Sequence, residues 1–330
     1  MNRLSVLLIV TVLAGCSPRL QKHEYVELVM ASPARLVLYA EDEASARRAA
    51  RATYDRLHEL ERVLSDWNPE SELNLLVAAA PEWRRTSHEL RQALRQAVHH
   101  AGATGGGFDP TLGPLVTLWR ETRTTGTLPS SDRIDAARAL VDFDAIEFEG
   151  KAVRVARPGV QVDLGGFAKG FALDEAARLL EKRGFPRHLL DLDGEIRAGS
   201  PPPGSSGWRV EILPPGHEQT GRTLLLKDRS VSTSGDRHQF IEIDGTRYSH
   251  VLDPATGLGL VDPVQVTVIA ARGETSDALA TAGCVLGAKG LRTVMERHHP
   301  DAAAIVTTGQ AGHRIVTTIG TLPAPADDAP

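Results

Sequence analysis

The sequence predicts an α+β domain. Strand-like and helix-like segments are intermixed along the chain, no strict βαβ alternation runs through it, and no period of about 20–50 residues is evident. The 330 residues are 42% hydrophobic, enough to bury a sizeable core without a covalent staple.

The chain opens MNRLSVLLIVTVLAGCSPRL, with Arg3 as a positive head, an apolar run from Leu4 to Leu13 and small residues before Cys16. That is the layout of a secretory leader, and the run is too short to cross a bilayer comfortably, so residues 1–15 are expected to be cleaved. Leu13-Ala14-Gly15-Cys16 is similar to the bacterial lipobox, whose cysteine is acylated and becomes the first residue of the mature chain. The alternative is an ordinary leader that happens to hold a cysteine. Each buried methylene of an acyl chain contributes about 0.8 kcal/mol, and several chains on one residue anchor firmly. The expectation is therefore a bacterial envelope protein, lipid-anchored to a membrane through Cys16 and facing the periplasm, with residues 16–23 as a polar tether.

With Cys16 lipidated, Cys284 has no second cysteine to pair with and no disulfide framework is expected. Removing residues 1–15 takes away only Arg3, so 37 basic residues become 36 against 42 acidic ones, a formal charge of −6. A nucleic-acid partner is not suggested.

Residues 35–39 read as a strand. Residues 44–64 read as a helix, because Tyr54, Leu57, Leu60 and Leu64 recur on one face. After a loop with Pro69, residues 87–100 form a second helix that ends near Gly102. Ser131 or Asp132 caps a short helix to Leu140, and residues 145–148 and 152–155 form a hairpin around Glu149-Gly150. A long amphipathic helix spans 167–182 and stops at Gly184, followed by strands near 188–192, 208–213, 223–226, 238–243 and 264–269. Residues 200–207 and 321–330 are rich in Pro, Gly, Ala and Asp and read as flexible.

Three segments carry most of the chemistry. Val162-Asp163-Leu164-Gly165-Gly166-Phe167-Ala168-Lys169-Gly170 joins a strand to the long helix, where glycines permit close backbone approach and a helix start offers N–H groups to an anion. Lys169 in the first turn opposes the helix dipole, which makes sense beside a phosphate, and Asp163 suits a ribose or flavin edge. The plain structural alternative is a packing turn with Lys169 in water. Thr275-Ser276-Asp277-Ala278-Leu279-Ala280-Thr281 opens a small-residue helix running to Leu286. Asp277 and Thr281 share a face there, a carboxylate and a hydroxyl suited to a hard cation such as Mg2+, unless Thr275 or Ser276 simply caps the helix. Tyr248-Ser249-His250-Val251-Leu252-Asp253-Pro254-Ala255-Thr256-Gly257 ends a strand in a turn, where His250 either deprotonates a hydroxyl or merely bonds a carbonyl.

Weaker candidates are Ser65-Asp66-Trp67 with Ser71-Glu72-Leu73, Gly107-Phe108-Asp109-Pro110-Thr111, and Ser232-Thr233-Ser234-Gly235-Asp236. His99-His100 and His298-His299 lack neighbouring ligands at workable spacing and read as surface residues.

In this order and spacing, the segments resemble the ApbE family of FAD:protein FMN transferases from about Met30 to Gly320, so the domain is expected over 24–320. The resemblance implies a two-part, T-fold-like α+β architecture with mixed helices and antiparallel sheets. It implies Mg2+ as cofactor and FAD as substrate, and a Thr or Ser hydroxyl of an acceptor protein that attacks the FMN phosphorus and releases AMP. By the same resemblance, Met30, Trp67, Gly107, Phe108, Asp109, Asp163, Lys169, His250 and Leu252 line the FAD site. The Gly166 carbonyl, Asp277 and Thr281 hold the metal. His250 is the first choice for the proton acceptor and Asp277, through water, the second. Where the family often has Met-Gly-Thr this chain has Met30-Ala31-Ser32, and Phe167 stands where an aliphatic is common. Two other functions fit the same residues: a Mg2+-dependent FAD pyrophosphatase giving FMN and AMP, and a non-catalytic envelope FAD-binding protein.

Overall fold

The structure, a computed structural model, describes residues 20–213, 221–235, 239–309 and 313–326. Cys16 and the leader, Asp236, and the first residue of the strand expected at 238–243 lie outside the described residues.

Along the chain run β1 (Gln21–Val29), β2 (Ser32–Ala40), α1 (Glu43–Leu64), α2 (Glu72–Ala78), β3 (Arg84–Arg85), α3 (His88–Thr104), α4 (Gly113–Thr125) and α5 (Ser131–Arg138). Then come β4 (Ile146–Glu149), β5 (Ala152–Val155), α6 (Ala168–Lys182), β6 (His188–Leu192), β7 (Glu195–Ala198), β8 (Trp208–Ile212), β9 (Arg222–Leu226) and β10 (Arg229–Gly235). The chain closes through β11 (Phe240–Ile243), β12 (Thr246–Ser249), β13 (Val264–Ala270), α7 (Gly273–His298), β14 (Ala303–Thr308) and β15 (Ile315–Ile319).

An eight-stranded sheet in the order β1-β2-β6-β7-β10-β13-β14-β15, antiparallel throughout, is the frame, and the α+β class holds. On one face the apolar stripe of α1 (Ala46, Ala50, Tyr54, Leu57, Leu60) packs with α6 against Leu36 and Leu38 of β2. Asp42 starts α1 by accepting from the Ser45 amide at 2.8 Å, and Ser87 starts α3 the same way at 3.1 Å to Leu90. On the other face the β8–β9 hairpin lays Trp208, Val210, Leu224 and Leu226 over Val37, Leu189, Val231 and Ile269.

Four expectations are corrected. The stretch read as tether already belongs to the sheet, because β1 begins at Gln21; its side chains are mostly exposed, as befits an edge strand with no buried face to announce it. The tail read as flexible is seated through residue 326. The Leu225 amide donates to the Ala324 carbonyl at 2.9 Å, Arg209 Nη1 donates to the Ala326 carbonyl at 3.1 Å, and Ala326 is buried. The 200–207 segment is pinned by the Trp208 indole N–H to Ser200 O at 3.0 Å and by Gly207 packed on Leu225. His100 is buried and faces His299 with ring centroids 5.6 Å apart, while His99 and His298 remain exposed.

α6 and α7 cap each other. Asp174 of α6 accepts from the Gly273 and Glu274 amides at 2.9 and 3.2 Å, and Asp277 of α7 accepts from the Gly170 amide at 3.0 Å. The helices touch at Gly170 and Gly273, where a Cβ on Gly170 would sit 2.1 Å from the Gly273 carbonyl oxygen. α7 thus begins at Gly273, not Thr275, and no side chain of its own caps it. It breaks in direction at Gly287 (φ 65°) and runs on to His298, past the expected end at Leu286.

Glu274 pays a desolvation cost in this layout. Burial outweighs the Arg272 guanidinium 3.0 Å away and pushes its carboxyl up from 4.5 to about 7. A raised carboxyl keeps its proton in the folded chain while the unfolded chain has lost it. Its contribution to stability is therefore full below about pH 4.5 and is lost as the pH rises toward 7. The effect is on the order of 3 kcal/mol. Chemical denaturation across this window is expected to show a steeper fall in wild type than in Glu274→Gln, which retains the raised carboxyls of Asp277 and Glu195; parallel curves would contradict it.

Candidate active site

β7 pairs with β10 only as far as Ile196 opposite Val231, whereas β10 continues through Gly235 along β13. Beyond that point the sheet face is left open next to the start of α6 and the first turns of α7. A cleft of about 960 Å3 occupies the gap. Met30, Trp67, Gly107, Phe108, Asp109, Asp163, Gly166, Lys169, His250, Leu252, Asp277 and Thr281 all line it. The sequence separates these residues widely; the topology brings them to one place.

The floor is built from the α6–α7 crossing. Asp163 is tied by its amide to the Pro110 carbonyl at 2.8 Å, and its Oδ1 accepts from the Gly165 amide at 2.7 Å, which bends the chain into the double glycine. Gly166 then lies against α7 so closely that a Cβ there would stand 2.7 Å from Thr281 Oγ1. Thr281 shares a 3.2 Å hydrogen bond with Ser234 of β10. One turn earlier, the buried Asp277 is pushed up to about 6 by burial, against the opposing pull of the Gly170 amide and of Lys169.

One reading of this turn is corrected. The start of α6 does not present a row of open amides to an anion. Phe167 and Ala168 donate back to Leu164 O at 2.9 and 2.7 Å, and Gly170 donates to Asp277. The cation of the first turn, Lys169, meets Asp193 at 3.3 Å.

Asp193 and Glu195 belong to the floor and escaped the sequence reading. Asp193-Gly194 is the left-handed turn between β6 and β7 (φ 59° and 88°), and Glu195 follows at once. Glu195 is 6% exposed, and burial first, then the Asp277 charge, hold its carboxyl well above the usual range. The Asp-Gly turn was the available sign, but it announces a hairpin and nothing about the residue after it.

The walls carry the aromatic and apolar groups. Trp67 is 73% exposed, and the Arg120 guanidinium lies 3.6 Å from its ring centroid. Arg120 is fixed in turn by Asp66 at 2.5 Å and Asp163 at 3.6 Å, so the indole is clamped on one face and open on the other. Asp163 is raised by burial and by Asp66, with the Gly165 amide and Arg120 opposing. Met30 reaches the cleft from the β1–β2 turn, where Met30 and Ala31 both take left-handed backbone (φ 50° and 57°); Ala31 bears a strain that a glycine would not. Asp109 spends Oδ1 on the Thr111 amide and hydroxyl at 2.7 and 2.5 Å, holding its own turn. Gly107 packs on Leu286 and Phe108 on Phe167, so this segment offers the cleft mainly backbone and a buried ring edge. Leu252 bridges to Gly259 beneath the opposite wall.

His250 Nδ1 lies 3.1 Å from the Gln239 carbonyl. A carbonyl only accepts, so Nδ1 carries a proton. A neutral ring held this way would present Nε2 as its basic nitrogen.

The floor suits a hard divalent cation. Asp277 and Glu195 are buried carboxylates side by side, the Thr281 hydroxyl stands one turn from Asp277, and the Gly166 backbone is held within reach by a contact no side chain would allow. Lys169 balances part of this negative charge. Such a pair of carboxylates, a hydroxyl and a backbone carbonyl, beside an ammonium and an exposed aromatic face, is chemistry for a metal-assisted reaction on a phosphate ester with a flat ring system.

Comparison with known proteins points the same way. The model of the ApbE family matches residues 30–306. A Vibrio cholerae protein named FAD:protein FMN transferase is 29% identical over 315 residues, covering 93% of this chain and 94% of that one. A Treponema pallidum protein of the same name is 32% identical over 308 residues, with 84% of each chain covered. The crystal structure of Pseudomonas stutzeri flavinyl transferase ApbE, apo form, superposes with a TM-score of 0.82 at 27% identity over 91% of this chain and 95% of that one.

Proposed function

The chain belongs to the ApbE family, and from that premise we propose that it transfers FMN from FAD to a Thr or Ser hydroxyl of an acceptor protein, forming a phosphoester and releasing AMP, with Mg2+ bound in the cleft. The observation that carries the reading is the convergence of Gly166, Asp277 and Thr281 beneath Lys169 in a cleft with an open indole face.

The Gly166 carbonyl, Asp277 and Thr281 would hold the cation; when bound, it supplies Lewis-acid neutralisation of the charge that moves onto the AMP leaving group. Lys169 exchanges Asp193 for a phosphate oxygen and orients it. Trp67, kept in place by Arg120, stacks a ring of FAD on its open face, and Met30, Asp163, the Gly107–Asp109 segment and Leu252 complete the binding walls. His250 Nε2 accepts the proton of the attacking hydroxyl. Positioning and electrostatics provide most of the acceleration, as is general for phosphoryl transfer. The short leader ending in Leu13-Ala14-Gly15-Cys16 supports a lipid anchor on Cys16 that places the domain on an envelope membrane, facing the periplasm.

Incubation with FAD, Mg2+ and a flavin-acceptor domain is expected to leave flavin on the acceptor after denaturation. Free FMN and AMP without an adduct would identify a pyrophosphatase, and FAD bound unchanged would identify a binding protein. His250→Ala is expected to slow transfer by about 10²–10⁴-fold while FAD affinity, followed by flavin fluorescence, stays near wild type. Unchanged turnover would remove His250 from the chemistry.

A further inference from the structure

Glu195, on the cleft floor, has no part in the function above. It opens β7 directly after the Asp193-Gly194 turn, and strand alternation sets its direction. Ile196 and Ala198 pack with the β8–β9 side of the sheet, while Arg197 pairs with Asp174 of α6 on the helix side. Glu195 shares that second face and lines the cleft. Its Oε2, buried in a residue 6% exposed, has no hydrogen-bond partner among the described residues.

A buried carboxylate oxygen without a partner costs more than the side chain returns in packing. The position would be better filled by a glutamine or an apolar residue unless something positive arrives there. The side chains around it do not provide it. Lys169 is paired with Asp193 and Arg197 with Asp174, and the charge that acts on Glu195 most strongly is that of Asp277, of like sign. Ser232 and Ser276 share a 2.8 Å hydrogen bond and Ser276 donates on to Gly273 O at 3.0 Å, so these hydroxyls are already committed. Two carboxylates of like charge converging on one cleft floor, with one ammonium between them and Asp193, are the setting in which a multivalent cation with its water stabilises both.

We infer that Glu195 is a positioning residue of the cation site, accepting hydrogen bonds from the water shell of the Mg2+ that Asp277, Thr281 and the Gly166 carbonyl hold. This rests on the reading of those three as the metal site. Mg2+ keeps several waters when protein-bound, and carboxylates that orient such outer ligands typically change metal affinity by about 10–100-fold when removed. Glu195 thereby adds a second negative group without crowding the inner sphere.

The test is a Mg2+ titration of the FAD-free protein followed by the rise in Tm, repeated by flavin fluorescence with FAD present. Glu195→Gln preserves shape and removes charge. It is expected to raise the half-saturating Mg2+ concentration at least about tenfold, with FAD affinity in EDTA unchanged and turnover largely restored at high Mg2+. Glu195→Asp, which keeps the charge, is expected to lie between the two, and it serves as the comparison should the Gln variant fold poorly. A wild-type response to Mg2+ with the same half-saturation in Glu195→Gln, or in Glu195→Asp alone if that is the variant that folds, overturns the inference and leaves the metal site standing. A wild-type protein indifferent to Mg2+ overturns the metal site and this inference together.

Discussion

Replacing Asp277 with alanine is expected to reduce FMN transfer by at least about a hundredfold and to abolish the dependence of AMP release on Mg2+. Two roles meet in this carboxylate. One oxygen accepts from the Gly170 amide and caps α6, and the group as a whole is a buried anion at the cleft floor. Loss of the cap costs about 1 kcal/mol of stability, which is small for a domain of this size. Loss of the anion removes the only full negative charge proposed for the inner shell of the cation. Asp277→Asn separates the two, because an amide oxygen still accepts from Gly170 N but carries no charge. Its Tm is expected to stay near wild type while activity falls as far as in the alanine variant. An asparagine variant that keeps Mg2+-dependent transfer would show that Asp277 serves the helix and not the metal.

The second large effect is expected at Gly170. A Cβ there would lie 2.1 Å from the Gly273 carbonyl oxygen and 2.9 Å from Asp277 Cβ. Both obstacles belong to the first turn of α7, and the first is backbone, so no rotamer change relieves the clash. The helices must part, which breaks the Gly170–Asp277 hydrogen bond and shifts the Gly273 and Glu274 amides from Asp174. Overpacking by a single methyl commonly costs about 1–3 kcal/mol, and the loss of shared caps adds to it. Gly170→Ala is therefore expected to lower stability by at least about 3 kcal/mol in denaturant titrations and to lose Mg2+ affinity with it. A variant with wild-type stability would mean that the crossing is looser than described.

These two residues illustrate what could be read from the chain and what could not. The run from Val162 to Gly170 and the Asp277–Thr281 spacing are local patterns; α6 lies where its periodicity and glycines put it, while α7 starts earlier, at Gly273, and runs past Leu286 to His298. The same holds for α1, α3 and the β4–β5 hairpin, each with a one-sided apolar stripe or an Asp, Ser or Gly at its boundary. The reciprocal capping of α6 and α7 was not legible, because it pairs residues about a hundred positions apart. For the same reason the open-amide reading of the glycine turn gave way: the acceptors that occupy those amides come from Leu164 and from α7. Glu195 and Arg120 carry no motif, and their surroundings are made by tertiary packing alone. β1 hid in an apparently polar tether because it is an edge strand, and residues 322–326 hid in a Pro- and Ala-rich tail because their partner strand begins some hundred residues earlier. His100 looked like half of a surface pair, yet the C-terminal ends of α3 and α7 bring it inside against His299.

The account depends on where the divalent cation sits. A crystal of the protein grown with FAD and Mn2+ in place of Mg2+, with anomalous data collected at the manganese edge, locates it directly. The expected result is one strong peak at about 2.0–2.2 Å from an Asp277 carboxylate oxygen, with the Thr281 hydroxyl, the Gly166 carbonyl and an FAD phosphate oxygen in the same coordination sphere. A peak elsewhere, or FAD seated in the cleft with no metal against its diphosphate, would contradict the account.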